Sequence, residues 1–431
     1  MVGRVVLLHA LRGEHRAARP PVRQGEVLMR VDLDTPGAAE LYDESRYSDQ
    51  GMHAAWREMR ARGGLHRQVT PDGQEFFAAV RHADVREVLS NHTAFSSAYS
   101  TMLSVRGDGD VAAGAAIHLT DPPVHSELKR IFTPLMTVPA TQRLAQGIDE
   151  RMRELFDTIR GRESFDFCAD MVTLPMTVTG ALMGIPTSEW PVTGRATVRA
   201  MGGTDAGESA YQRRLNLFEA HTTIMTVLGD VLEDAPAGDS VIGRCPRTAG
   251  VVEDPGRDVA LLNAYAFLMG ANPTIPQTIN QMLILLAGDD DLWSWFTCQE
   301  RTEQKFVDEA LRWASPINHV LRRTTGDVTL AGTEVPAESL VTAWLGSANR
   351  DEEVFPEPFR FVPDRSPNQH TAFGFGVHRC IGQHVAIAGM KTFFDLWRES
   401  VRSVSLAGEP RHLVSNFLNG VVSLPLSVSW R

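Results

Sequence analysis

Cysteine is scarce in this chain. Four residues, Cys168, Cys245, Cys298 and Cys380, are spread over 431 positions with no CxxC pair among them. That spacing excludes a disulfide framework and a cysteine-rich zinc site, and it points to a reducing compartment, the cytoplasm. Long apolar runs are missing too. The longest near the start, VVLLHAL at 5–11, is about a third of the length that a membrane-spanning helix requires. No small-residue cleavage site follows it, so neither a membrane anchor nor a secretory signal is expected. Positive charge is in deficit: 42 Lys and Arg face 53 Asp and Glu, for a net charge of -11. This argues against broad nucleic-acid binding, which needs a clustered basic face. What the chain does have is 43% hydrophobic and 22% charged residues, which suits a soluble globular protein with one large core or two closely packed lobes.

Residues 1–28 are rich in Arg and carry no clear period, whereas MRVDLDTPGAAELYDE from Met29 reads as the start of an ordinary domain. The expected organisation is an extension over 1–28, mobile or lying upstream of the true start, followed by a single domain over 29–431. From about 120 to 315 the apolar spacing is helical, as in VHSELKRIFTPLM, ATQRLAQGIDERMRELFDTIR, ALLNAYAFLMG and EQKFVDEALRWA. Strand patterns are short: GQEFFAAV, a hairpin read in DVTLAG and TEVPAESLVTAWLG, and a closing pair RSVSL and VSLPLSVSW. The fold class expected is mainly α with small β-sheets (α+β), without internal repeats.

One short stretch concentrates chemistry. HTAFGFGVHRCIGQH, residues 370–384, sets three glycines and three histidines among the neighbours of Cys380. A thiolate is a strong iron ligand, and tight backbone turns around it supply N–H groups that stabilise its charge. Gly374, Gly376 and Gly382 permit positive φ angles and close approach. Phe373 can shield the sulfur, and a helix starting after Cys380 turns its N-terminal dipole toward the negative charge.

Phe373, Gly376, Cys380 and Gly382 match FxxGxxxCxG, which resembles the haem-binding signature of the cytochrome P450 family, soluble bacterial class. Further segments agree in order. Glu309 and Arg312 in DEALRW resemble the family's ExxR pair, and Arg360 in NRDEEVFPEPFRF falls where the third member of its ion-pair triad is expected. HLTDPPVHSELKR and TLPMTVTGALMGIP resemble two of its helical segments. The resemblance implies a haem held between a long central helix and the helix after the cysteine loop, as haem b (iron protoporphyrin IX), with Cys380 as the axial iron ligand. It implies His125, Lys129, Arg322 and His378 around the haem propionates, and Glu309, Arg312 and Arg360 as a structural brace. It also implies oxidation of a small-molecule substrate by a monomer that draws electrons from a separate ferredoxin and ferredoxin reductase, since no flavin or iron–sulfur motif is seen.

The central helix departs from the pattern. The family's (A/G)-G-x-(D/E)-T relays protons through an acid and an alcohol, but here the segment reads FLMGANPTIPQ. Asn272 stands at the acid position, Pro273 at the threonine position and Thr274 one residue late. An amide does not shuttle protons as a carboxyl does, and proline has no hydroxyl. Proline also removes the N–H that would bond the Met269 carbonyl and kinks the helix there. Either Thr274 or water restores the relay and the enzyme is an ordinary monooxygenase (EC 1.14), or hydrogen abstraction from an N–H or O–H leads to C–C or C–N coupling. Coupling of that kind resembles bacterial members that join tryptophan-containing cyclic dipeptides or phenolic peptides. A reading of another class, a non-catalytic haem-containing binding or recruitment module, rests on Asn272 and Pro273 alone. A peroxide-driven oxidant finds no acid in the motif to favour it.

Substrate contacts follow by region. Phe95, Tyr99, Met102, Met269, Asn318, His319 and Leu418 are the expected pocket residues, and the near absence of charge among them favours a neutral, partly aromatic secondary metabolite.

Overall fold

The computed structural model describes residues 41–48, 51–105, 109–200, 210–234, 238–254 and 258–431; the extension expected over 1–28 lies outside them. The predicted helical periods become helices that share one large core. Val138–Asp157 buries Ile148, Met152, Leu155 and Phe156 on one stripe and packs against Gln383–Ser400. At that contact Phe156 meets Phe393 with ring centroids 5.4 Å apart, and Phe393 stacks on Trp397 at 5.8 Å. Each such fully buried apolar side chain contributes about 1.5–3 kcal/mol of transfer free energy, which is why these two helices hold the scaffold under the cysteine loop.

The Leu174–Met183 helix is buried almost all round and ends at Gly184, whose φ of +85° suits glycine. Beside it runs the central helix, Val259–Ala271, whose first turn is capped by Asp258 accepting from Leu261 N at 2.9 Å. The expected break is present: Asn272 and Pro273 form a turn, and a second helix runs from Thr274 to Gly288.

Strands gather at two places. A five-stranded sheet has the order His66–Val69, Glu75–Ala79, Leu340–Trp344, His319–Thr324, Phe95–Ser96. Only the pairing of Glu75–Ala79 with Leu340–Trp344 is parallel. The hairpin read from DVTLAG and TEV closes through Ala331 and Gly332 as Val328–Leu330 and Thr333–Val335, while SLVTAW leaves it for the large sheet. The closing pair Val401–Leu406 and Pro425–Trp430 is antiparallel and is joined by Ser164–Asp166. Among the described residues no helix is long and apolar enough to cross a membrane.

Candidate active site

The cysteine loop is shaped by its own backbone. Thr371 O accepts from Gly374 N at 2.7 Å, and Phe373 O accepts from Cys380 N at 2.8 Å. The chain therefore doubles back and delivers Cys380 to the start of the Gln383–Ser400 helix. Gly374 and Gly376 have φ of +68° and +71°, and a Cβ on Gly376 would lie 2.5 Å from Leu89 O. Gly382 corrects the expectation made for it: its φ is -83°, so no left-handed turn requires glycine there. It caps the helix, and a Cβ on it would meet no atom within 4 Å, so its bare Cα borders open space beside Cys380.

Cys380 is accessible, yet burial pushes its thiol up; the backbone N–H of Gly382, then Lys129 and Arg379, pull the other way. A side chain that is both accessible and desolvated faces a void inside the fold. Gly270 has a related signature. It is exposed in a central helix whose other residues are buried or half-buried, and a Cβ on it meets nothing within 4 Å. Phe373 packs half-buried against the large core beside the loop.

Cationic and imidazole groups collect at the same void. The His125 and His378 rings lie 4.0 Å apart, and His125 Nδ1 and His378 Nε2 are buried with no hydrogen-bond partner among the described residues. Arg322 is 4% exposed and donates to Leu321 O at 2.8 Å. Burial, then Lys129, lowers His125 to about 4; burial, then Arg322, His125, His118 and Lys129, lowers His378 to about 2. Burial, against the pull of Asp121, brings Arg322 to about 10. Donors repelling one another around desolvated space are the surroundings that a buried dianion relieves. The residues present therefore fit a haem with its two carboxylates, which His125, Arg322 and His378 would hold, with Cys380 offered to the iron. Lys129 departs from its expected role: its Nζ donates to Val377 O at 2.6 Å, so it fastens the cysteine loop. His118, which the motif reading passed over, joins the cluster.

The brace beneath the loop is present with a different third member. Arg312 Nε and Nη2 donate to Glu309 at 2.7 and 2.8 Å, and both side chains are 0% exposed. The second guanidinium on Glu309 belongs to Arg365, whose Nε lies 3.1 and 3.0 Å from the two carboxylate oxygens. Arg360 turns outward and donates to Glu357 at 3.0 Å. Its carbonyl takes part, accepting from Arg312 and Arg365. The expectation for Arg360 is corrected: spacing in PFRFVPDR leaves two arginines within reach, and the turn geometry selects the later one.

Packing also sorts the central-helix motif. Asn272, 1% exposed, accepts from Thr179 Oγ1 at 2.6 Å and donates to Met176 Sδ at 2.9 Å. Its amide is therefore bound to the Leu174–Met183 helix and does not reach the void. Thr274 Oγ1 donates to Gly270 O at 3.1 Å, placing the one remaining protic side chain of 270–274 against the residue that borders open space. Pro273 supplies the helix break between them.

Several expected pocket residues belong to the core instead. Phe95, Asn318, His319 and Leu418 are 1%, 4%, 0% and 2% exposed, so they do not line open space. His319 is tied at both nitrogens, accepting from Leu103 N at 3.1 Å and meeting Asn416 O at 3.0 Å. Tyr99 lies beneath the Arg323 guanidinium at 4.8 Å. Tyr99, Met102 and Met269 stay partly accessible.

Known proteins agree with this geometry. The family model described as Cytochrome P450 matches residues 302–397. Cytochrome P450 NovI of Streptomyces niveus is 26% identical over 422 residues, covering 96% of this chain and all of that protein. Linalool 8-monooxygenase of Pseudomonas putida is 26% identical, covering 89% of this chain and 97% of that protein. The solved structure of P450 OxyD superposes with a TM-score of 0.81 at 27% identity, over 91% of this chain and all of that one. The family model spans the Glu309–Arg312 brace and the cysteine loop, and relatives and fold match along nearly the whole chain, which together support a bacterial cytochrome P450, a haem-dependent monooxygenase.

Proposed function

We propose that this P450 inserts oxygen into a small, largely neutral, aromatic secondary metabolite, using haem b and electrons from a separate ferredoxin and its reductase. The observation that carries the reading is the Thr274 hydroxyl held on Gly270 O: the alcohol of the oxygen-activation motif is retained one residue late. Bound haem supplies the iron at which dioxygen is reduced and a substrate bond is oxidised. The chain does the rest. Cys380 would hold the iron as a thiolate: burial opposes that charge, and the Gly382 N–H with the charges of Lys129 and Arg379 offsets the burial in part. Thr274 holds a proton at Oγ1 beside the void, and Pro273, lacking an N–H, leaves the turn free of a competing donor. The substrate class is supported by OxyD, described as involved in the biosynthesis of vancomycin-type antibiotics, and by the uncharged accessible residues Met102 and Met269. The absence of a CxxC pair supports a haem bound without thioether links, and Lys129, Arg130 and Arg379 could receive an acidic electron donor.

Coupling without oxygen insertion is the second reading. It is favoured by the missing hydroxyl at Pro273 and by the amide that stands in place of the carboxyl at Asn272, committed to Thr179. Turnover with a surrogate ferredoxin and reductase separates the two. The substrate comes from a Soret titration against aromatic cyclic dipeptides, phenolic peptides, macrolides and terpenes. An aromatic ligand that gives the low-spin to high-spin shift and a product enriched from 18O2 is the expected result. An aromatic product without the label establishes coupling, and a shift with terpenes alone overturns the aromatic assignment.

A further inference from the structure

Residues 114–120 form a strap laid on the central helix, and after Gly114 its burial is interrupted at one position. Ala115, Ala116, Ile117, Leu119 and Thr120 are buried, while His118 between them is accessible. The strap is held at two points by Asn263, which is 0% exposed. Asn263 Oδ1 accepts from Ile117 N at 2.9 Å, and Nδ2 donates to Ala115 O at 3.1 Å. Gly114 N donates to Leu119 O at 2.7 Å and Thr120 Oγ1 to Ile117 O at 3.0 Å, closing the strap on itself. In the 3-10 turn Ile117–Leu119, successive side chains point about 120° apart. With the flanking two packed into the core, the imidazole takes the remaining direction.

That direction is inward. Burial brings His118 to about 4, with Asp110 opposing the shift and Arg322 adding to it, and His118 in turn lowers His378. An imidazole on the outer surface would keep its hydration. Accessible surface on a desolvated ring therefore belongs to the void that Cys380 faces, on the side where Arg322 and His378 stand.

We propose that His118 is a haem-anchoring residue, its imidazole N–H donating to one of the two haem carboxylates together with Arg322 and His378, and that Asn263 is the positioning residue that aims it. The inference rests on the reading of this void as the haem site. It also fills the position that Lys129 leaves, since that ammonium is bound to Val377 O. A neutral donor adds a hydrogen bond to a desolvated carboxylate without adding charge to a cluster already crowded with it.

The test uses haem-loaded protein and two readouts independent of turnover: the rate of haem transfer to excess apomyoglobin and the ferric/ferrous midpoint potential. His118→Ala should release haem about tenfold faster and shift the potential. His118→Gln, which keeps a donor, should stay within about twofold of wild type. Asn263→Ala should speed release alone yet add nothing in the His118→Ala background, as expected of residues acting through one contact. Wild-type release and potential in His118→Ala, or a change confined to substrate affinity, would overturn the proposal. A wild-type protein whose ferrous CO complex shows no band near 450 nm would overturn the haem reading itself, and with it this one.

Discussion

The two sides of the void are built by opposite means. On the cysteine side, Cys380, Gly374 and Gly376 lie within a few residues of one another, and the brace below is a helical i,i+3 pair, Glu309 and Arg312. On the central-helix side, the fate of Asn272 and Thr274 depends on a helix almost a hundred residues away, which takes the amide and leaves the hydroxyl. The difference teaches that a motif set by turn geometry survives translation into structure, while a motif set by which face of a helix is covered can slip by a residue.

Removing the cysteine gives the largest effect. Cys380→Ser should abolish the CO band near 450 nm altogether, read in the difference spectrum of the reduced protein. The brace comes next. Glu309→Ala leaves Arg312 and Arg365 without their shared carboxylate, and unpairing a buried ion costs about 3–5 kcal/mol, measurable by urea unfolding. Arg365→Ala should approach that loss, whereas Arg360→Ala, removing a surface pair with Glu357, should stay within about 0.5 kcal/mol. Equal losses for the two arginines would break the assignment of the third member.

The central-helix side predicts a crossed pattern. Asn272→Ala removes a buried amide that bonds Thr179 and Met176, leaving the Thr179 hydroxyl on Pro175 O, and should cost about 1–3 kcal/mol of stability with the ratio of product to released peroxide unchanged. Thr274→Ala should leave stability within about 1 kcal/mol and lower product per electron pair about tenfold. If the two phenotypes exchange, the motif lies in the register read from the sequence.

Acid gives a smaller and more distributed effect. Burial lowers His319 to about 4, with the bond to Asn416 O opposing. Between about 6.5 and 4 the unfolded chain takes up a proton that the folded chain refuses, so stability falls as pH drops through that window. His319→Gln, titrated by thermal unfolding between pH 7 and pH 5, should show a shallower slope than wild type.

Much was legible in the sequence because it is local. The helical periods, the loop glycines at 374 and 376, the ExxR pair and the His125 and His378 positions all follow from spacings of a few residues. Arg365 was missed because PFRFVPDR offers two guanidiniums, and only the turn after Pro358 decides which one points at Glu309. His118 was missed because a histidine among apolar residues gives no direction until Asn263 fixes the strap. His319 and Leu418 read as pocket residues from their region, yet the large sheet and the Phe417–Asn318 contact close them into the core.

The family resemblance, the sulfur expected as ligand and the helix break at Pro273 were legible in the sequence alone, since these depend on covalent spacing and on a ring that cannot donate. Only the tertiary structure decided which arginine completes the brace, which side chain of 270–274 faces the void, and where Lys129 spends its charge. Those choices are made between groups of equal chemistry, and only the packing of distant segments distinguishes them.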